Sequence, residues 1–284
     1  MALNDIVTQE IKRLTKTRQS YDTTVALYDA HAPYVSDDAT KIATEYIALT
    51  QPKRIIFGHD LIDNPNMSLY PKDTDHKMDT REEIDCAVEW LHKLTKASPK
   101  SELVFQPGNH DEVRMERLKS ENSGALKNLR GMDFFSQLKM SVEEHGGIKN
   151  KLTYGGKVYE LGPGMVFVHG DTRMTPEILG GVNGAKRTAD SSAFPGKHIV
   201  YGHEHTPGMA SSKWGDRMVY KAACMMDLSI KHYTQFNQYK NGFVVVRYSP
   251  NVRPKPLYHV ENVIIQNGVA IIDGQEFNAR KTHR

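Results

Sequence analysis

Five short apolar runs in this chain each stop at aspartate, asparagine or histidine. That pattern constrains the fold more than any other feature. VALY is followed by Asp29-Ala-His31, and IIF by Gly58-His59-Asp60-Leu-Ile-Asp63. LVFQP is followed by Gly108-Asn109-His110-Asp111, MVFV by His169-Gly170-Asp171, and IVY by Gly202-His203-Glu204-His205. Short apolar runs without internal charge read as strands buried on both faces. In open α/β sheets the carboxyl ends of such strands open into a shared crevice. Five tips of this composition are therefore expected to converge.

The intervening segments support that arrangement. Apolar periodicity predicts helices over residues 3–18, 39–49 and 80–98. The third has the strongest signals. Thr80 is placed to cap it, Glu83 to close a capping box, and Ile84, Val88, Leu91 and Leu94 form a stripe. Later, MVYKAAC, GFVVVRYS and VENVIIQNGVAIIDG read as strands, the last as a hairpin around Asn267-Gly268. Strand–helix alternation followed by consecutive strands predicts a layered α/β fold with a largely buried sheet. A single domain over residues 1–284 is expected, with residues 1–20 as a helical extension.

Composition narrows the class. Thirty-seven basic against 34 acidic residues leave a net charge of +3, too small to demand a nucleic-acid partner. The two cysteines, Cys86 and Cys224, are far apart and fit free thiols in a reducing compartment. No apolar stretch approaches the roughly 20 residues of a membrane helix, and the first residues lack a signal-peptide core. A cytoplasmic protein with no membrane partner is expected.

Each tip alone is weak evidence. A turn rich in glycine, asparagine and aspartate is ordinary loop chemistry, and two histidines two apart are common. Their joint appearance is the signal, because imidazoles and carboxylates together suit divalent transition metals. The order Asp29-x-His31, Asp60-x-x-Asp63, Gly108-Asn109-His110-Asp111, His169 and Gly202-His203-x-His205 resembles that of the calcineurin-like metallophosphoesterase superfamily. The resemblance runs from about Tyr28 to His205, and the late segment NGFVVVRY is similar to phage and prophage-type members.

The resemblance implies a metallophosphoesterase-type β-sandwich flanked by helices, with the site at the strand ends. It implies two divalent metal ions, with manganese favoured and iron, zinc or nickel compatible. Asp29, His31 and His205 would hold one ion, Asn109, His169 and His203 the other, and Asp60 would bridge them. His110 would be the general acid rather than a ligand, with Asp63 orienting it. The activity implied is hydrolysis of a phosphodiester or phosphomonoester by metal-activated water, with a nuclease or nuclease subunit as the alternative within the superfamily. A non-catalytic binding module is a further alternative, against which the full set of family residues speaks. The partner is thus a phosphate-ester substrate, with nucleotide or nucleic acid included in that class.

Several residues keep two readings. Asp63 can also cap the turn. Asp171 either orients a ligand histidine or is a loop acid. Asp111 supports its turn. Arg114, Arg173 and Arg187 are candidate phosphate-facing cations or solvated side chains. Residues 65–79, with Tyr70 and His76, and residues 180–192 are candidate rims. His59 departs from the family pattern by standing between the glycine and Asp60. Keeping Asp60 and Asp63 three apart leaves both carboxylates in register, so His59 is expected to point away from the metals.

Overall fold

The computed structural model describes residues 21–69, 76–121, 129, 131–181, 183–230, 238–252 and 255–281. The helix expected over residues 3–18 lies outside them, as does Tyr70. The chain forms a mixed α/β structure with two main sheets.

The first sheet has six strands. β1 (Asp22–Ala26), β2 (Arg54–Gly58), β3 (Glu102–Gln106) and β4 (Leu152–Tyr154) run parallel in that order. β10 (Asn241–Ser249) lies antiparallel beside β1, and β11 (Leu257–Ile265) antiparallel beside β10. The second sheet has the order β5 (Val158–Glu160), β6 (Met165–Val168), β7 (His198–Tyr201), β9 (Met218–Lys221), β8 (Gly208–Ser211). Its central strands β6, β7 and β9 are parallel.

Side chains alternate across a strand with a period of two, and here both faces are buried. Ala26, Ile56, Val104, Val244 and Val246 of the first sheet pack with Met165, Phe167 and Val200 of the second. The alternate residues of the first sheet, Val25, Ile55, Phe57, Leu103, Phe105 and Val245, share a core with α1 (Asp37–Thr50), α2 (Thr80–Ala97), Met115 of α3 (Arg114–Glu121) and α4 (Phe134–His145). On the outer face of the second sheet, Val166, Val168, Ile199 and Tyr201 pack with Ala189 of α5 (Gly184–Asp190). The central strands β1, β2, β3, β6 and β7 are therefore apolar because they lie between two layers, and polarity is left to their tips. Phe57 has no exposed surface. Truncating it to alanine should cost about 3–5 kcal/mol, read as a lower urea midpoint at unchanged slope.

Two local expectations are corrected. The cap of α2 is Asp79, one residue earlier than Thr80. Its carboxylate accepts from the Glu82 amide, and Glu82 reaches back to the Asp79 amide. Asp79 has no hydroxyl to distinguish it from other caps, and Thr80-x-x-Glu83 and Asp79-x-x-Glu82 are equivalent patterns by spacing. Glu83 is instead fully buried. The Asn267-Gly268 turn forms, with both residues at positive φ, but its arms separate after one bridge. β11 stays in the large sheet, while β12 (Val269–Ile272) pairs with β13 (Gln275–Asn278). No helix among the described residues is long and apolar enough to cross a membrane.

Candidate metal centre

The loops leaving β1, β2, β3, β6 and β7 meet at one place. His31 Nε2 and His205 Nε2 face each other at 3.3 Å, and Asp29 Oδ1 lies 3.6 Å from His205 Nε2. Beside them, His169 Nε2 lies 2.7 Å from Asn109 Oδ1 and 3.3 Å from Asp60 Oδ2. Asp29, His31 and His205 form one group whose donor atoms converge, and Asp60, His169 and His203 form a second. Asp60 also reaches towards His110, with Oδ1 accepting from the His110 amide at 2.7 Å and Oδ2 3.8 Å from its Nε2.

The backbone is bent to achieve this. Asp29, His31, Asp60, His203 and His205 all have positive φ, as do His59 and Asn64. Non-glycine residues in this region are uncommon, and such strain clusters at ligand clamps and active sites. Glycine is needed where two loops touch. A Cβ on Gly108 would lie 2.0 Å from the Asp60 amide nitrogen, and one on Gly202 would lie 2.6 Å from Asp29 Oδ2.

Asp111 secures the strained β2 loop. Its buried carboxylate accepts from the amides of Gly108, Asp60, Leu61 and Ile62. Burial, together with the nearby Asp60 charge, raises its pKa to about 6 against the pull of those amides. Asp171 lies 3.7 Å from His203 Nε2 and is held by Arg173, which spends its guanidinium on that carboxylate. The Arg187 guanidinium donates to the Gly180 carbonyl from an exposed position on α5.

The donor set fits cations. Burial favours neutral carboxyls at Asp29 and Asp60, yet the neighbouring imidazoles outweigh it and hold both below the usual carboxylate range. Among the described residues, no lysine or arginine pairs with either acid. Burial also keeps His31 and His203 in the neutral form that metal ligation needs. His169 behaves differently. Burial opposes its charge, but Asp60 raises its pKa to about 9, so a proton sits where a cation would balance Asp60. Its Nδ1 is buried without a hydrogen-bond partner among the described residues.

His110 is arranged otherwise. Its Nδ1 lies 2.7 Å from the Asp63 carbonyl, which can only accept, so Nδ1 carries the hydrogen. The Asp63 carboxylate is nearer to His31 Nδ1, at 3.1 Å, than to His110 Nδ1, at 3.6 Å. The expected orientation of His110 by Asp63 is thus made by the peptide oxygen, while the carboxylate fixes the tautomer of His31. Sequence spacing could not separate these two oxygens of one residue. Burial disfavours a charged His110, but Asp60 and Asp63 outweigh it and raise its pKa. Arg114 donates to the Asp63 and Asn64 carbonyls and brings Nη2 within 3.0 Å of His110 Nε2.

His59 belongs to neither group. Its ring stacks on Tyr28 with centroids 4.1 Å apart, and its Nε2 lies 3.1 Å from Gln106 Oε1. Burial lowers its pKa to about 3, which suits an uncharged packing residue. A His59→Asn variant keeps a residue that tolerates positive φ. It should bind the same number of metal ions by elemental analysis and lose about 1 kcal/mol of stability with the stacking.

No family model matches the chain. It is similar to the Gene 54 protein of Mycobacterium phage L5, at 23% identity over 235 residues, covering 77% of this chain and 82% of the relative. It is also similar to the Gene 54 protein of Mycobacterium phage D29, at 22% identity with the same coverage. The likeness thus extends over most of both chains.

Glu83 is the residue near the site that sequence reasoning misassigned. A signal was present, since Glu83 lies one turn before Ala87 and two before Leu91 on the buried face of α2. A carboxylate on an apolar stripe has to meet a polar partner inside.

Proposed function

We propose that this chain is a dinuclear metal-dependent phosphoesterase, hydrolysing phosphodiester or phosphomonoester bonds. The observation that carries the reading is the meeting of Asp29, His31 and His205 with Asp60, His169 and His203 at the ends of β1, β2, β6 and β7. Asp29, His31 and His205 would hold one divalent ion and Asn109, His169 and His203 the other, with Asp60 between them. Bound there, such ions supply Lewis acidity to a phosphoryl oxygen and lower the pKa of water.

The chain's own residues supply the rest. His110 has Nδ1 committed to the Asp63 carbonyl, and its Nε2 accepts from Arg114 Nη2, so Nε2 would carry a proton to a leaving oxygen once that guanidinium turns to the phosphate. Asp60 and Asp63 favour the protonated ring in which that transfer begins. Arg114, beside Nε2, adds a cation suited to phosphate oxygens. Asp63 holds His31 in the tautomer that presents Nε2 to its group.

The test is turnover of nitrophenyl phosphate monoester and bis(nitrophenyl) phosphate by the manganese-loaded protein, with gel assays on single- and double-stranded DNA alongside. Turnover that stops with chelator and returns with manganese is expected. Cleavage of DNA without turnover of the small esters would favour a nuclease. No turnover of any substrate with manganese, iron, zinc or nickel would overturn the proposal.

A further inference from the structure

The mechanism leaves a fully buried acid unused. Glu83 projects from α2 beneath the loop that follows β2, with no exposed surface. Its Oε2 accepts from the Asn64 amide at 2.6 Å. Its Oε1 lies 2.8 Å from His76 Nε2, and His76 Nδ1 lies 2.8 Å from the Tyr34 hydroxyl. The Tyr34 amide in turn donates to the His31 carbonyl. Asn64 itself has φ of 49° and spends both ends of its side chain. Its Oδ1 accepts from Thr80 Oγ1 at 3.0 Å, and its Nδ2 donates to the His110 carbonyl at 3.1 Å.

We propose that Glu83 is a positioning residue that fixes the Asp63–Asn64 turn and thereby the orientation of His110. Glu83 holds the Asp63–Asn64 turn through the Asn64 amide, and Asn64 Nδ2 carries the contact on to the His110 carbonyl. Glu83 Oε1, at ion-pair distance from His76 Nε2 without hydrogen-bond geometry, leads through Tyr34 to the loop of His31. Without Glu83, the Asn64 amide would lose its acceptor inside the protein, and burying an unpaired donor is expensive. The turn would relax, and the Asp63 carbonyl that receives His110 Nδ1–H would move with it. The burial of Glu83 raises its carboxyl pKa to about 8 against the pull of the Asn64 amide. Glutamine therefore reproduces both its shape and its hydrogen-bonding ability near neutral pH.

The activity arm of the test rests on the phosphoesterase reading, so a second arm is independent of it. In zinc-loaded protein, which is diamagnetic, the His110 Nδ1–H resonance should be slow to exchange in the parent and in Glu83→Gln. In Glu83→Ala it should shift or vanish. With manganese, Glu83→Ala should lower kcat about 10–100-fold, with KM and metal content held near the parent's and Glu83→Gln restoring the rate. Should Glu83→Ala not fold, Glu83→Asp shortens the side chain by one methylene and withdraws the carboxylate from the Asn64 amide, and the same shift is expected. Parent-like resonance and rate in the folded alanine or aspartate variant, or equal loss in Glu83→Gln, would overturn the assignment. If no protein turns over any ester, the phosphoesterase reading fails and the resonance alone decides the role of Glu83.

Discussion

His110→Ala is expected to lower kcat for a phosphate ester by about 10²–10⁴-fold while both metal ions stay bound. The magnitude is that of losing a positioned general acid. The separation of the two effects follows from the contacts. The His110 amide, which an alanine keeps, donates to Asp60 Oδ1 at 2.7 Å, while the ring packs edge-on against His31 with Nε2 3.8 Å from Asp60 Oδ2. That ring is engaged by Asp63 and Arg114. A leaving group of low pKa needs little protonation, so the loss should shrink for nitrophenyl esters and grow for alkyl esters. Measuring kcat across such a series, with elemental analysis of each sample, checks both halves. A variant that loses its metals would show instead that the ring is a ligand.

Asp60→Ala should act on the opposite quantity. Asp60 lies 3.3 Å from His169 Nε2 and shares the buried centre with Asp29, whose ionisation it opposes. Removing it takes away the anion beside both groups of imidazoles. We expect manganese affinity to fall by at least about 100-fold, beyond what the loss of an outer hydrogen-bonding partner costs, and turnover to vanish with it. Stability should fall as well. With no metal present, the neighbouring imidazoles hold Asp60 below the usual carboxylate range, so its anion stabilises the fold near neutral pH, and its Oδ1 accepts from the His110 amide. Metal-free Asp60→Ala should melt below the metal-free parent, and added manganese should raise the melting temperature of the parent far more than that of the variant.

Much of this was legible in the chain. The central strands could be read because they are apolar on both faces, and their ends could be read because polarity returns abruptly at Asp29, Asp60, Asn109, His169 and His203. The edge strands could not. β5 exposes Val158 and Glu160 and half-buries Tyr159, and β8 alternates with Met209 largely exposed, so neither carries an apolar run. β12 and β13 were obscured because the Asn267-Gly268 turn predicts a local hairpin, and tertiary pairing overrides it. In the site, residue identity was legible but atom choice was not. Spacing brings Asp63 near His110, yet the peptide oxygen makes the contact and the carboxylate serves His31. The role of Glu83 depends on a partner 19 residues away, which no local pattern encodes. His59 is explained by Tyr28 and Gln106, which pack against it from two other strands' ends.

The central claim is that these strand ends form a two-metal centre. It is tested most directly by saturating the purified chain with manganese, removing the excess, and measuring the metal bound per chain. Two equivalents are predicted. A chain that retains none, with every described ligand intact, would contradict the account.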